Sequence, residues 1–119
     1  MDDSCRIDSS ALDHLVAIGG AAFTVRMIDL FLEGGSKRME EAWEREKAGD
    51  WTGVQKAVHA MRSSAGNFGA RRLFDLAGEI EHLAMLGQTS ALPGLLHTLE
   101  EILNQVQNQL RQERERLRL

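Results

Sequence analysis

Apolar residues recur at intervals of three and four along most of this chain, and glycines interrupt the pattern between segments. The clearest stripe consists of Val54, Val58, Met61, Ala65 and Phe68. This spacing places every member on one face of an α-helix. Strands are disfavoured, because the chain has no tyrosine and few β-branched residues. The pattern therefore predicts an all-α protein.

The glycines divide the chain into an antiparallel four-helix bundle with a short additional N-terminal helix. Ser9 or Ser10 is expected to cap the short helix, and Gly19-Gly20 to end it. The four long helices are predicted at about 21–48, 51–68, 70–86 and from a Ser90 cap onward, with a kink or short break at Gly34-Gly35 in the first. We predict a flexible N-terminus at 1–8, the bundle at 9–110 and a charged helical extension at 111–119.

Composition narrows the setting in which such a bundle works. The chain has 119 residues, enough for one domain, and a net charge of −4, which argues against nucleic-acid binding. Cys5 is the single cysteine and cannot form an internal disulfide, as is usual in a reducing cytoplasm. No signal peptide and no apolar run near 20 residues is evident, so we expect a cytoplasmic protein with no membrane partner.

His59 lies on the wrong face of its helix for a core residue. At about 100° per residue, it falls about 140° from the centre of the apolar stripe and should be exposed. Ser63 and Gly66 follow on the same face, and a glycine inside a helix costs about 1 kcal/mol relative to alanine. Small residues that lower the stability of the helix indicate that the space beside His59 is kept open for a second protein.

Charged and polar residues surround the same histidine. Arg62 lies one turn after His59 and Lys56 one turn before it, and Gln55 shares the face. Cations in these places could neutralise a phosphoryl group on the imidazole. The plainer interpretation is a solvated histidine among ordinary surface charges, and it is the better one for Lys56.

The segment from His59 to Ala70 resembles the signature of the histidine-containing phosphotransfer (HPt) domain family. It reads His-Ala-Met-Arg-Ser-Ser-Ala-Gly-Asn-Phe-Gly-Ala, against a family pattern of His-x-Leu-Lys-Gly-Ser/Ala-Ser/Ala-x-x-(apolar)-Gly-Ala. The family's next motif is matched by Leu73, Ala77, Ile80 and Glu81, with alanine where cysteine is usual. The likeness covers roughly residues 8–105.

The resemblance implies a role for each matching residue. His59 would carry the phosphoryl group, Arg62 would take the place of the lysine that steadies its oxygens, and Gly66 would keep the docking face open. Arginine is bulkier than lysine and binds in a forked manner, so the exchange is not neutral. Ser63 replaces a glycine, which brings a hydroxyl within reach of the imidazole, and Met61 for leucine is a minor core exchange.

The resemblance also implies the function, which is histidine phosphotransfer in a two-component phosphorelay. A neutral imidazole nitrogen is a nucleophile that can take a phosphoryl group from an aspartyl phosphate and pass it to another aspartate. The expected partners are response regulator receiver domains and a hybrid histidine kinase. The receiver would supply the aspartate and Mg²⁺, so the chain itself is expected to need no cofactor or metal and to be a monomeric phosphocarrier rather than an enzyme.

Three other functions remain open at the level of sequence. A helical adaptor that is never phosphorylated would have the same fold. A histidine kinase dimerisation domain usually has an acidic residue after its histidine, where this chain has Ala60. A di-iron bundle needs two Glu-x-x-His motifs, and only Glu79 and His82 supply one. We interpret His14, His82 and His97 as surface or boundary residues.

Overall fold

Four helices make up the bundle in the computed structural model, which describes residues 7–118. They are α1 (Ser9–Lys47), α2 (Trp51–Asn67), α3 (Arg71–Leu86) and α4 (Leu92–Arg118). Each helix packs against the next, and α4 packs against α1, so the four close around one core. The described residues contain no strand, and the predicted all-α bundle is confirmed.

The short N-terminal helix is the first part of α1, and it ends at a break where the sequence places one. Gly20 has φ 89° and ψ 173°, which are non-helical values, and helical geometry resumes after it. The positive φ is open to glycine at little cost. Thr24 spans the break, since its hydroxyl donates to the carbonyl oxygen of Gly20 at 2.9 Å.

The cap of α1 differs from the prediction of Ser9 or Ser10. Asp8 is the N-cap, and its carboxylate accepts from the backbone N–H of Ser10 at 2.9 Å. The Ser10 hydroxyl also donates to it, and these two bonds lower the pKa of Asp8. The prediction failed because a serine beside an aspartate can be either the cap or the residue that the cap bonds.

Two residues of the predicted flexible segment 1–8 are held in place. The backbone N–H of Ile7 donates to Gln109 Oε1 at 2.8 Å, and that of Asp8 donates to the Phe68 carbonyl oxygen at 3.1 Å. These bonds hold the start of α1 beside α4 and beside the end of α2. The rest of that segment, with Cys5, lies outside the described residues.

The kink predicted at Gly34-Gly35 is wrong, because α1 keeps helical dihedral angles there. Gly35 is buried, and a Cβ at this position would lie 3.2 Å from Gln107 Nε2 and 3.3 Å from a Leu103 methyl group on α4. A glycine therefore allows α4 to approach α1 closely. Nothing lies within 4 Å of a Cβ at Gly34.

The turns on both sides of α2 form where the sequence predicts them. Asp50 caps α2 by accepting from the Gly53 N–H at 2.9 Å. Gly69 has φ 63° in the turn to α3, and a Cβ there would collide with Asp8. At the other end of the bundle α4 begins at Leu92, later than a Ser90 cap would give.

Not all apolar residues of α1 belong to the core. Ile18 and Leu30 are 66% and 60% exposed. By length and composition alone, α1 contains a stretch apolar enough to cross a membrane, contrary to the expectation from the sequence, and 17% of that stretch is buried in the bundle. One such stretch is weak evidence of a membrane span, since a signal sequence near an N-terminus and the core helix of a soluble protein both pass the same test.

Candidate functional site

His59 lies near the middle of α2 and points away from the core. Its side chain is 61% exposed, whereas Val58 and Met61 on the opposite face are buried. This is the orientation that its position relative to the apolar stripe predicts. The imidazole is accessible to a second macromolecule.

A carboxylate from α3 holds this imidazole in one orientation. His59 Nδ1 lies 2.6 Å from Glu81 Oε1, and the Glu81 residue is only 8% exposed. An ionised carboxylate can only accept hydrogen bonds, so we assign the proton in this contact to Nδ1. In neutral imidazole the lone pair is then on Nε2, which is the nitrogen that can act as a nucleophile.

The second oxygen of Glu81 is bound by Arg62. Arg62 Nη1 donates to Glu81 Oε2 at 2.7 Å, so the carboxylate bridges two residues of α2. A buried carboxylate needs such partners, because removing its charge from water is otherwise costly. His59, Arg62 and Glu81 therefore form one hydrogen-bonded cluster across the α2–α3 groove.

The aromatic ring of Phe74 completes the surroundings of Arg62. The Arg62 Cζ lies 4.9 Å from the centroid of this ring. Between the two contacts, the Arg62 side chain passes over Gly78, where a Cβ would lie 3.8–3.9 Å from it. Arg62 is thus positioned by α3 along most of its length.

The other residues predicted for the site contribute less to this cluster. Ser63 and Gly66 are exposed on the His59 face, and Gln55 is half-buried. Ser63 forms no hydrogen bond with His59 within the described chain, and the reach of its hydroxyl toward the imidazole stays a prediction. Lys56 is exposed and, among residues 7–118, has no hydrogen bond or ion pair.

A shallow groove continues from Gly66 toward the turn between α2 and α3. It encloses about 290 Å³ and is lined by Gly66, Gly69 and Phe74, with Asp8 from the start of α1. A Cβ on Gly66 would lie 3.7 Å from the Phe74 ring, which is an ordinary contact. The face beside His59 is therefore low and open, and only a longer side chain at position 66 would obstruct it.

Glu81 and Phe74 are functional candidates to which sequence analysis gave no role. A signal for Glu81 was present, since it lies four residues after Ala77 and three before Ala84 on the buried face of α3. A carboxylate on a core-facing position requires a partner. Phe74 gives only the weaker signal of an aromatic residue off the apolar stripe.

The remaining histidines form no comparable cluster. His97 Nε2 lies 3.0 Å from Glu101 one turn further along α4, and both side chains are exposed. Within residues 7–118, no group of three or more His, Cys, Asp or Glu side chains is arranged to hold a metal ion. The fold and the site together define a helical bundle that presents one oriented, nucleophilic histidine, as a histidine phosphocarrier does.

Comparisons with known proteins identify the family. The family model of the Hpt domain matches residues 26–113. The crystal structure of histidine-containing phosphotransfer protein B from Pseudomonas aeruginosa PAO1 has a similar fold, with a TM-score of 0.88 and 24% sequence identity over 92% of this chain and 95% of that chain. A search of curated proteins found no significant match. The chain belongs to the Hpt domain family, whose members carry phosphoryl groups on histidine in two-component signalling.

Proposed function

We propose that His59 accepts a phosphoryl group from the aspartyl phosphate of one receiver domain and passes it to the aspartate of another. The observation that carries this proposal is the 2.6 Å contact between His59 Nδ1 and Glu81. It leaves Nε2 unprotonated in neutral imidazole, on a side chain that is 61% exposed. No other histidine among the described residues has a buried carboxylate partner.

The transfer needs positioning more than covalent help from this chain. The Nε2 lone pair forms the N–P bond while the acyl O–P bond of the aspartyl phosphate breaks, and the receiver recovers its carboxylate. The reverse sequence delivers the group to the next receiver. The receiver also brings Mg²⁺, so this chain acts as a carrier without kinase activity of its own.

Arg62 stabilises the phosphorylated state in this proposal. Its guanidinium lies one turn from His59 and already binds an anion, the Glu81 carboxylate, at 2.7 Å. A phosphoryl group on Nε2 adds a second anion beside the same guanidinium. Lys56 is a secondary contributor, since its flexible ammonium could approach from the preceding turn.

The receiver docks on the face formed by Gln55, Ser63 and Gly66, next to His59. Ser63 and Gly66 are exposed and small, and the groove lined by Gly66 and Phe74 extends this face. The partners are receiver domains of response regulators or of a hybrid histidine kinase. The proposed carrier is a cytoplasmic monomer.

The test is transfer from a panel of purified, phosphorylated receiver domains. The native protein should acquire an acid-labile, base-stable phosphate from its cognate receiver, and His59→Gln should acquire none. His82→Gln is the matched control, since His82 is exposed on the neighbouring helix, and it should label normally. Labelling of the His59→Gln protein, or no transfer from any receiver in a panel covering all those of the source organism, would refute the proposal.

A further inference from the structure

Arg62 lies along a stripe of three residues on α3. Phe74, Gly78 and Glu81 follow one another at intervals of four and three, so they share one face of that helix. Phe74 contacts the guanidinium at 4.9 Å, the Arg62 side chain passes over Gly78, and Glu81 binds Nη1 at 2.7 Å. Glu81 accounts for the position of Nη1, but the function proposed above gives the Phe74 ring no role toward Arg62.

We propose that Phe74 is a positioning residue, which holds Arg62 against Glu81 and thereby keeps His59 in the Nδ1–H tautomer. This inference rests on the proposed function of His59 and extends the site by one residue. The order of action is Phe74 on Arg62, Arg62 on Glu81, and Glu81 on His59. Phe74 itself touches none of the reacting atoms.

The physical argument starts from the freedom of the Arg62 side chain. It is 37% exposed, so without a second contact the side chain keeps much of its rotamer freedom. An ion pair with Glu81 would then be weakened by the conformational entropy lost in forming it. A guanidinium stacks on an aromatic face, and this contact restricts the side chain to the groove. Phe74 is itself 37% exposed, so its ring is placed at the surface, where the guanidinium lies, rather than in the core.

The consequence for His59 follows through the shared carboxylate. If Arg62 leaves, Glu81 keeps a buried negative charge with His59 as its one remaining partner in the described cluster. Turning toward solvent then becomes more favourable for the carboxylate. That movement would break the bond to Nδ1, and the imidazole would divide between its two tautomers.

The first measurement is the tautomer of His59 in the unphosphorylated protein, from ¹⁵N shifts of the ring nitrogens at alkaline pH, where imidazole is neutral. Phe74→Leu should lower the ratio of the Nδ1–H to the Nε2–H tautomer about two- to five-fold, the size of an exposed cation–π contact. Phe74→Tyr keeps the ring and should restore the native ratio. Met85→Leu alters another exposed apolar residue of α3 and should leave the ratio unchanged.

The second measurement is the rate at which phosphoramidate, a small phosphoryl donor, labels His59 without any receiver. This rate should fall by a similar factor in Phe74→Leu. In an Arg62→Met background, which keeps the length of the side chain and removes its charge, Phe74→Leu should cause no further change. Thermal melts of all variants establish that each is folded.

The outcomes separate this inference from the proposed function. An unchanged tautomer ratio in Phe74→Leu, or a Phe74 effect that persists in the Arg62→Met background, would overturn the positioning role. The tautomer measurement involves no phosphoryl group, so it gives its answer even if no receiver ever labels His59. Failure of labelling alone would count against the proposed function and leave the Phe74–Arg62–Glu81 coupling in place.

Discussion

Glu81 determines the geometry of the site at the scale of single residues. Its two oxygens bind His59 and Arg62, which are one turn apart on α2, so one buried carboxylate orients both. The orientation matters chemically, because a proton on Nδ1 leaves the lone pair of neutral imidazole on Nε2, the nitrogen that would be the nucleophile in the proposed transfer. A change at Glu81 therefore acts on both groups at once.

Replacing this carboxylate should slow phosphorylation without abolishing it. Glu81→Gln removes the charge that holds Arg62. The new amide can also donate a hydrogen bond to Nδ1, and donation requires the Nε2–H tautomer, in which Nε2 has no free lone pair. The hydrogen bonds lost are charge-assisted, so we expect the rate of labelling by a receiver to fall about 10- to 100-fold. Glu79→Gln, an exposed neighbour on α3, serves as the control and should label at the native rate.

Equal labelling rates for the two glutamine variants would mean that Glu81 does not orient the nucleophile. A total loss of labelling together with a lower Tm would indicate a fold defect instead. Circular dichroism on both variants distinguishes these outcomes, since α3 buries the Glu81 position and leaves position 79 exposed.

Gly66 tests whether the low face beside His59 is the docking surface. Gly66→Gln should be neutral or slightly stabilising, because glycine is the poorer helix former by about 0.5–1 kcal/mol and a Cβ fits at 3.7 Å from Phe74. Transfer to and from a receiver should nevertheless slow sharply, because the longer side chain projects into the docking face. Labelling by phosphoramidate should change little, since that donor needs no docking.

A matched control for this substitution is Gly34→Gln on α1. A Cβ at Gly34 meets nothing within 4 Å, so its effect on stability should be similar, with transfer from a receiver unchanged. Normal receiver transfer in a folded Gly66→Gln protein would show that the receiver lands elsewhere.

Sequence predicted the exposed part of this site better than its buried part. The helical period alone places His59, Ser63 and Gly66 on one outward face, and they lie there. The bond to Glu81 was missed because it joins residues on different helices, and their distance depends on how α2 and α3 are rotated against each other. The spacing of residues along one helix gives no information about that rotation.

At the scale of elements, one buried polar side chain of α4 contributes to the contact with α1. Gln107 is 3% exposed, and its Nε2 donates to the Leu32 carbonyl oxygen at 3.2 Å and to the Ser36 hydroxyl at 3.1 Å. Gly35 lies between these acceptors and leaves room for the amide. A Cβ at position 35 would require Gln107 or Leu103 to shift.

The adjacent glycines of α1 should respond in opposite ways to alanine. Gly34→Ala should raise the free energy of unfolding by about 0.5–1 kcal/mol, because helix propensity improves and the Cβ meets nothing. Gly35→Ala should lose that gain, since its Cβ would press on Gln107 and Leu103, and such overpacking costs about 1–3 kcal/mol. Urea unfolding of both variants gives the comparison, and a more stable Gly35→Ala protein would contradict it.

Turn and cap residues explain where the prediction of helix bounds succeeded and where it failed. The bounds of α2 and α3 were predicted to within a residue or two, because Asp50 and Gly69 are strong local signals. Gly34-Gly35 is as strong a signal by composition, yet α1 continues through it. A glycine needed for close packing and one needed for a turn look alike in a single sequence.

At the scale of the whole molecule, the His59 site and the C-terminal turns of α4 involve different pairs of helices. His59 and its partners belong to α2 and α3, whereas the last turns of α4 are bound to α1. Arg114 Nη1 donates to Asp29 Oδ1 at 2.9 Å, and Leu117 packs partly against the core. The predicted charged extension, 111–119, is therefore attached to the bundle as far as Arg118, which is the last residue described.

This separation predicts that the end of α4 affects stability and leaves the chemistry of His59 unchanged. Arg114 is 24% exposed and pairs across helices, whereas Arg116 is 60% exposed and pairs with Glu113 within α4. Arg114→Ala should lower the free energy of unfolding by about 1 kcal/mol, through the lost pair and the lost packing of its aliphatic stem, and added salt should reduce the difference. Arg116→Ala should change it by less than about 0.5 kcal/mol.

Both proteins should take label from phosphoramidate at the native rate at a temperature where both are folded. A slower rate in folded Arg114→Ala would show that the α1–α4 contact influences the α2–α3 groove. Equal melts for the two variants would show that the Arg114–Asp29 pair does not stabilise the bundle.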